Sequence, residues 1–233
     1  MKTRLNKFLS ECGIGSRRKV EKFIKEGRIE VNNKIAMEFS VTVDPETDVV
    51  KFDGEVLRRE KKVYYLLYKP KGFITSLKDE KNRRLVTELV KTNHRIFPVG
   101  RLDYNTTGVL ILTNDGEFSN YFLHPSNRIV REYVVSLDKP LEEKDRNKLI
   151  SGIFLDGKKS IFLDLKYLKK SQRIVKATTN EGRNHFVKRM FQQLEYKVVE
   201  LERIRFGPFD LRGLKIGEYR IIPETEIRKI ANM

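Results

Sequence analysis

What most restricts this chain is a series of strand-like segments after position 62: VYYLLYKPKGFITS from 63, GVLILT from 108, REYVVSL from 131, FLDLKYL from 162, RIVKATT from 173 and YKVVELERI from 196. Turn residues or short helical patterns separate them, the latter at 86–90, 118–123, 142–150 and 184–194. Strands that do not alternate regularly with long helices argue for an α+β fold over a doubly wound parallel sheet.

The first sixty residues have a different texture. Leu5, Phe8, Leu9 and Cys12 fall at i, i+3, i+4 and i+7, one apolar stripe on a short helix ended by Gly13. Val20, Phe23 and Ile24 repeat the pattern, with Ser16 placed to cap and Gly27 to stop the second helix. Ile29 and Val31 then alternate with polar residues into a strand, and Asn32-Asn33 marks a hairpin turn. The charged run RREKK at 58–62 lacks apolar periodicity, so the expected organisation is a domain over 1–57, a linker over 58–62 and a second domain over 63–233. With 233 residues, 39% of them apolar, the chain can fill both cores.

Lys and Arg total 48 against 32 Asp and Glu, a formal charge of +16, which suits a phosphate backbone. A membrane surface would attract the same charge, but the apolar stretch VYYLLY is far too short to span a bilayer and no strongly basic amphipathic helix stands out. Nucleic acid is the favoured partner. Residues 1–34 hold ten basic and four acidic side chains, and 58–84 hold ten and three, which suggests a basic track over both domains. Arg17-Arg18-Lys19 open a helix where the dipole favours anions, a poor place for cations unless a phosphate joins them. Lys69-Pro70-Lys71-Gly72 follow a strong strand, where a loop presents side chains on a rigid support. The N-terminus shows no hydrophobic segment with a cleavage site, so a cytoplasmic protein is expected. The single cysteine, Cys12, excludes an internal disulfide and reads as core, and His94, His124 and His185 offer no metal-ligand spacing. GIGSRR at 13–18 is no dinucleotide fingerprint, and no Walker sequence occurs.

Three segments hold polar groups that a core would not ask for. In GRLD at 100–103, the start of GRLDYNTTGVLILTNDG, Asp103 taken alone reads as a turn acid whose carboxylate caps Asn105 or Thr106, and GRLD holds no second carboxylate to support a paired-acid mechanism. In REYVVSL, Tyr133 shares a face with Val135 and Leu137; it packs with them, or stacks on a base from the strand start. In NEGRNHFVKRMFQQL at 180–194, Val187, Met190, Phe191 and Leu194 make a core stripe. Gly182 and Asn184 suit a loop-to-helix turn with Asn184 capping, while Arg183, Lys188 and Arg189 bring cations. His185 binds phosphate or is a satisfied loop histidine.

RLNKFLSECGIGSRRKVEKFIKEGRIEVNNKIA resembles the S4 domain over about residues 3–50, which implies docking on structured RNA through Arg4, Lys7, Arg17, Arg18 and Lys19. GRLDYNTTGVLILTNDG, EYVV and EGRNHFVKRMF in this order, with KPKG before them, GPF at 207–209 and GEYR at 217–220, resemble the S4-bearing ribosomal RNA pseudouridine synthases of the RsuA and RluB type over nearly the whole chain.

That resemblance implies a catalytic domain with a mixed, largely antiparallel sheet, which isomerises one uridine of ribosomal RNA without cofactor or metal. It assigns Asp103 as nucleophile or base, Tyr133 as the stacking residue and Lys188 as the cation paired with Asp103, with Arg101 as the competing partner. Lys188 departs from the arginine frequent among relatives and lacks its bidentate fork. An ionised carboxylate in a pocket needs such a cation. Lys69, Lys71, Arg183, Asn184, His185 and Arg189 complete the expected RNA contacts. The partner is ribosomal RNA or a ribosome assembly intermediate, met by a monomer. FPVGRLD and HPSNRIVREYVV look more like the 23S large-subunit enzymes, whereas EGRNHFVKRMF is also similar to the 16S small-subunit one. The competing readings are a non-catalytic RNA-binding assembly factor and a synthase acting on transfer RNA.

Overall fold

The computed structural model describes residues 2–231. Two compact units emerge, one built from residues up to 63 together with 92–96, the other from 64–91 together with residues from 97 onward.

In the first unit, helices Leu5–Glu11 and Arg17–Lys25 pack their apolar stripes together, burying Leu5, Phe8, Leu9, Val20 and Ile24. Ser16 caps the second helix as expected, its Oγ accepting the Lys19 amide at 3.2 Å. Beside them lies a four-stranded antiparallel sheet of Lys34–Ile35, Ile29–Val31, Val50–Phe52 and Glu55–Val56. Asn32 and Asn33 both take positive φ, 50° and 62°, in the tight turn that their residue types announce. The 58–62 run is tied to this unit: the Glu60 amide donates to the Glu11 carbonyl at 2.9 Å, and Arg59 Nε lies 2.8 Å from a Glu11 carboxylate oxygen.

A mixed sheet forms the second unit, in the order Asp164–Tyr167, Ile174–Thr179, Arg131–Leu137, Val198–Phe206, Thr107–Thr113, Tyr64–Lys69 and Tyr219–Ile221. Neighbouring strands run antiparallel except Val198–Phe206 and Thr107–Thr113, which pair in parallel. Val109, Leu110, Ile111 and Leu112 are fully buried, so the unbroken apolar run is a strand covered on both faces. Burial of each such side chain contributes about 1.5–3 kcal/mol. Val109 and Ile111 join a core with Leu66, Phe118, Phe122, Phe206, Ile227 and Ile230, drawing helices Gly116–Leu123 and Glu224–Ala231 onto the sheet. Tyr133, Val135 and Leu137 pack against Phe186, Val187, Met190 and Phe191 of helix Phe186–Gln192.

The parallel pair explains one glycine. Gly108 lies opposite Arg203 with φ of 119°, and a β-carbon there would stand 2.8 Å from the Arg203 carbonyl carbon and closer still to its oxygen. Asp115, two residues past this strand, caps helix Gly116–Leu123, its carboxylate accepting the Glu117 and Phe118 amides and the Tyr64 hydroxyl.

The sequence missed helix Glu224–Ala231 and the small hairpin Ile153–Leu155/Lys158–Ser160, which turns at Asp156-Gly157 with both φ positive. The expected helix from 184 begins two residues later, at Phe186, and its N-cap is His185 without a side-chain cap bond. Asn184 is therefore not the cap: His185 takes the left-handed conformation, φ 52°, and closes the turn by backbone geometry instead.

Candidate active site

Asp103 sits in a loop fastened at successive residues. Thr75 Oγ1 donates to the Leu102 carbonyl at 2.8 Å, and the Gly72 amide donates to the Tyr104 carbonyl at 3.0 Å. From below, Lys69 Nζ donates to the carbonyls of Asp103 at 3.0 Å, Thr106 at 2.9 Å and Pro70 at 3.0 Å. The local turn reading of Asp103 fails in a specific way. It is the Asp103 backbone carbonyl that accepts the Thr106 amide, at 3.0 Å, which leaves the carboxylate free for other partners.

Those partners come from the start of helix Phe186–Gln192. Lys188 Nζ lies 2.5 Å from Oδ2 of Asp103, and His185 Nε2 lies 3.1 Å from Oδ1. The left-handed turn at His185 places its ring and the Lys188 amine on the same side of the helix start. Arg101 is exposed, and among the described residues it makes no ion pair with Asp103. Lys188 is thus the cation that lies against Asp103, with His185 as a second contact.

Asp103 stands where two concavities meet. The inner cavity, about 120 Å³, is lined by Asp103, Thr106, Tyr133, Arg131, Arg203 and Phe186 among others. An outer groove runs from Asp103 past Thr75, Arg83, Tyr104, Asn184, His185 and Lys188. Tyr133 is 8% exposed within the core cluster, and it also lines the cavity. Arg131 and Arg203 flank the Phe206 ring, their guanidinium carbons 5.1 and 4.5 Å from its centre. Desolvation pushes the pKa of both arginines down, and Tyr133 opposes the shift.

Lys69 requires a correction. Expected to meet RNA phosphate, it is 0% exposed and caged by carbonyl oxygens; burial pushes its pKa down to about 8, against the opposing pull of Asp103. Arg183 is engaged throughout, with Glu181, the Leu155 carbonyl and Ser160, so it braces the loop ahead of the helix. Arg189 is paired with Asp156, and Lys71 with Glu200 at 2.8 Å. Arg4, Arg17, Arg18 and Lys19 are exposed on the first unit, while Lys7 is half-buried 3.8 Å from Glu11.

Sequence reasoning missed a second groove adjoining the cavity, lined by His124, Arg128, Arg131, Lys158, Lys159 and Asn180. Arg128, Lys158 and Lys159 are exposed and have no ion-pair partner among the described residues. The Asp-Gly turn was the signal that would have found the two lysines, since it places them on a hairpin strand. Among the described residues no group of three or more His, Cys, Asp or Glu gathers as a metal site.

Residues 63–193 match the family described as RNA pseudouridylate synthase, and residues 3–49 match the S4 domain. The ribosomal large subunit pseudouridine synthase B of Bacillus subtilis is 40% identical over 97% of this chain and 95% of its own length. An uncharacterized RNA pseudouridine synthase of Aquifex aeolicus is 39% identical over 99% and 94%. Among solved structures, a pseudouridylate synthase crystal structure superposes with a TM-score of 0.69 at 32% identity, covering 97% of this chain and 99% of that one.

Proposed function

This chain belongs to the RNA pseudouridylate synthase family and carries an S4 domain, and we propose that it converts a uridine of large-subunit ribosomal RNA to pseudouridine. The observation that carries the reading is the Asp103 carboxylate, held by Lys188 and His185 at the mouth of a cavity that Tyr133 lines. The choice of the large subunit follows the Bacillus relative, whose name specifies that particle and which is alike over nearly its full length.

The reaction breaks the bond from ribose C1′ to base N1 and makes one from C1′ to C5, so reactant and product are isomers and no redox partner enters. Asp103 acts at the ribose as nucleophile or base. Lys188 orients its carboxylate, and Tyr133 packs on the flipped base. Extruding that base costs a few kcal/mol, offset by stacking and by phosphate contacts. We assign those contacts to two places: the groove of Arg128, Lys158 and Lys159, and the exposed Arg4, Arg17, Arg18 and Lys19 of the S4 module, whose family match covers residues 3–49. His185 and Asn184 approach the strand on the Asp103 side. The proposed acting form is a cytoplasmic monomer, one chain supplying every group named.

The test maps pseudouridine in ribosomal RNA from cells with the wild-type protein, without it, and with Asp103→Asn. One large-subunit site should vanish in the last two while the variant still binds the RNA. An unchanged map, or a lost site in the small subunit or in transfer RNA, would overturn the assignment.

A further inference from the structure

Two polar atoms in the second unit are buried without a hydrogen-bond partner, Thr106 Oγ1 and Arg203 Nη2. Both side chains line the inner cavity that Asp103 and Tyr133 share. They are 1% and 3% exposed, so water does not satisfy them from outside. Their backbones are held on either side of the parallel pairing, Arg203 opposite Gly108 and Thr106 at the end of the Asp103 turn. Arg203 is further fixed by its Nε, which donates to the Val109 carbonyl at 2.9 Å, and by the Phe206 ring.

The charge is as unusual as the orphaned donors. Arg131 and Arg203 are both buried, and neither has an ion-pair partner among the described residues. Arg131 spends Nη1 on the Ile129 and Asn180 carbonyls, at 2.8 and 3.1 Å. A buried guanidinium with an unused donor is costly unless something negative arrives. Phosphate suits the exposed grooves better, because a cavity of about 120 Å³ behind Asp103 holds little beyond a base.

We propose that Arg203, helped by the Thr106 hydroxyl, hydrogen-bonds an oxygen of the bound uracil and stabilises the negative charge this base carries once its glycosidic bond is broken. The inference rests on the pseudouridine reaction proposed above. When the C1′–N1 bond breaks, its electron pair stays with the base and spreads to O2 and O4. Asp103 meets the electron deficiency at the ribose. The base then turns, C5 bonds to C1′, the proton on C5 is lost and N1 ends protonated, so atoms and charge balance. Arg203 is cationic and donor-only, and its hold strengthens as the base gains charge, which is the condition for lowering a barrier. A donor-only group facing O4 also turns away cytosine, whose amino group presents hydrogens there.

The test compares wild type, Arg203→Gln and Thr106→Val in single-turnover consumption of the target nucleoside, using large-subunit RNA transcribed with uridine or with 5-fluorouridine. Fluorine withdraws electrons, so the departing base needs less help. With uridine, Arg203→Gln should slow the reaction by about 10²–10³-fold, the usual effect of losing one donor to a developing anion. With 5-fluorouridine that deficit should shrink at least ~10-fold, with RNA affinity within ~3-fold of wild type. A purely structural role predicts equal deficits on both RNAs, and that result, or no deficit at all, overturns the proposal. Should Arg203→Gln not fold, Thr106→Val decides, because it removes a hydroxyl that has no partner to lose; its smaller deficit should show the same dependence on fluorine. Wild-type protein inert on every ribosomal RNA would instead remove the underlying reaction.

Discussion

Lys188 Nζ lies 2.5 Å from Asp103 Oδ2, across 85 positions of sequence, and both side chains are about one-third exposed. An ion pair open to solvent to that extent adds only about 0–1 kcal/mol to stability. Its value is therefore in the reaction, where it fixes the position of the carboxylate. Lys188→Met should lower the single-turnover rate by about 10²-fold or more while shifting the melting temperature by no more than about 2 °C. Lys188→Arg should recover part of the rate. A stability loss that matches the activity loss would assign the pair to folding.

What the sequence displayed of this site, and what it hid, follows from the range of each interaction. The helix stripes, the Ser16 cap, the Asn32-Asn33 turn and the apolar run 109–112 are local, and each stands where its pattern placed it. Asp103 was ambiguous because its turn is closed by its own carbonyl, so nothing nearby in sequence shows the carboxylate to be spare. Resemblance, not periodicity, supplied Tyr133 and Lys188. Lys69 was misread because a lysine following a strand ordinarily points to solvent, and only the folded chain reveals the carbonyls converging on it. Arg203 drew no notice at all: in YKVVELERI it is one charge among several in an alternating strand, and its burial depends on the parallel neighbour.

Gly108 marks that neighbour. Gly108→Ala would press a methyl group into the Arg203 backbone and force an L side chain to φ of 119°. The Gly108 strand cannot retreat, since the four residues after Gly108 are fully buried. The variant should lose more than about 3 kcal/mol, beyond the ordinary range of point substitutions, and be recovered mainly as insoluble protein. Urea unfolding of any soluble fraction measures the loss, and a near-wild-type midpoint would mean that the sheet accommodates the methyl group.

Lys158 and Lys159 lie on the exposed groove beside the cavity and away from Asp103. If they neutralise phosphates, replacing both with glutamate should weaken RNA binding uniformly and reduce the magnitude of the slope of log affinity against log salt by about 1–2. The rate at saturating RNA should hold within about twofold. Filter binding from 50 to 300 mM salt checks this, and an unaltered slope would exclude the groove from the RNA path.

Lys69 gives the site a dependence on pH. Burial lowers its pKa to about 8 in the folded chain, against about 10.4 in an unfolded one. Below about pH 8 both states hold the proton and the burial penalty is present in full; between about 8 and 10.4 the unfolded chain binds more protons, so this group's contribution to stability rises with pH. Activity should move the other way. The ammonium has three N–H donors for the carbonyls of Pro70, Asp103 and Thr106, with that of Tyr104 also in reach at 3.5 Å, whereas the neutral amine has two and must release one. The loop under Asp103 then loosens, and a misplacement of about 1 Å suffices to slow chemistry by about 10²-fold. Wild-type single-turnover rates should therefore decline above about pH 8 with no matching decline in this lysine's share of the unfolding free energy. Lys69→Met, which has no donor at any pH, should be slow throughout and lack the limb near pH 8. Rate profiles from pH 6.5 to 9.5 that run parallel for the two proteins would assign the limb to another group, such as the imide proton of uracil.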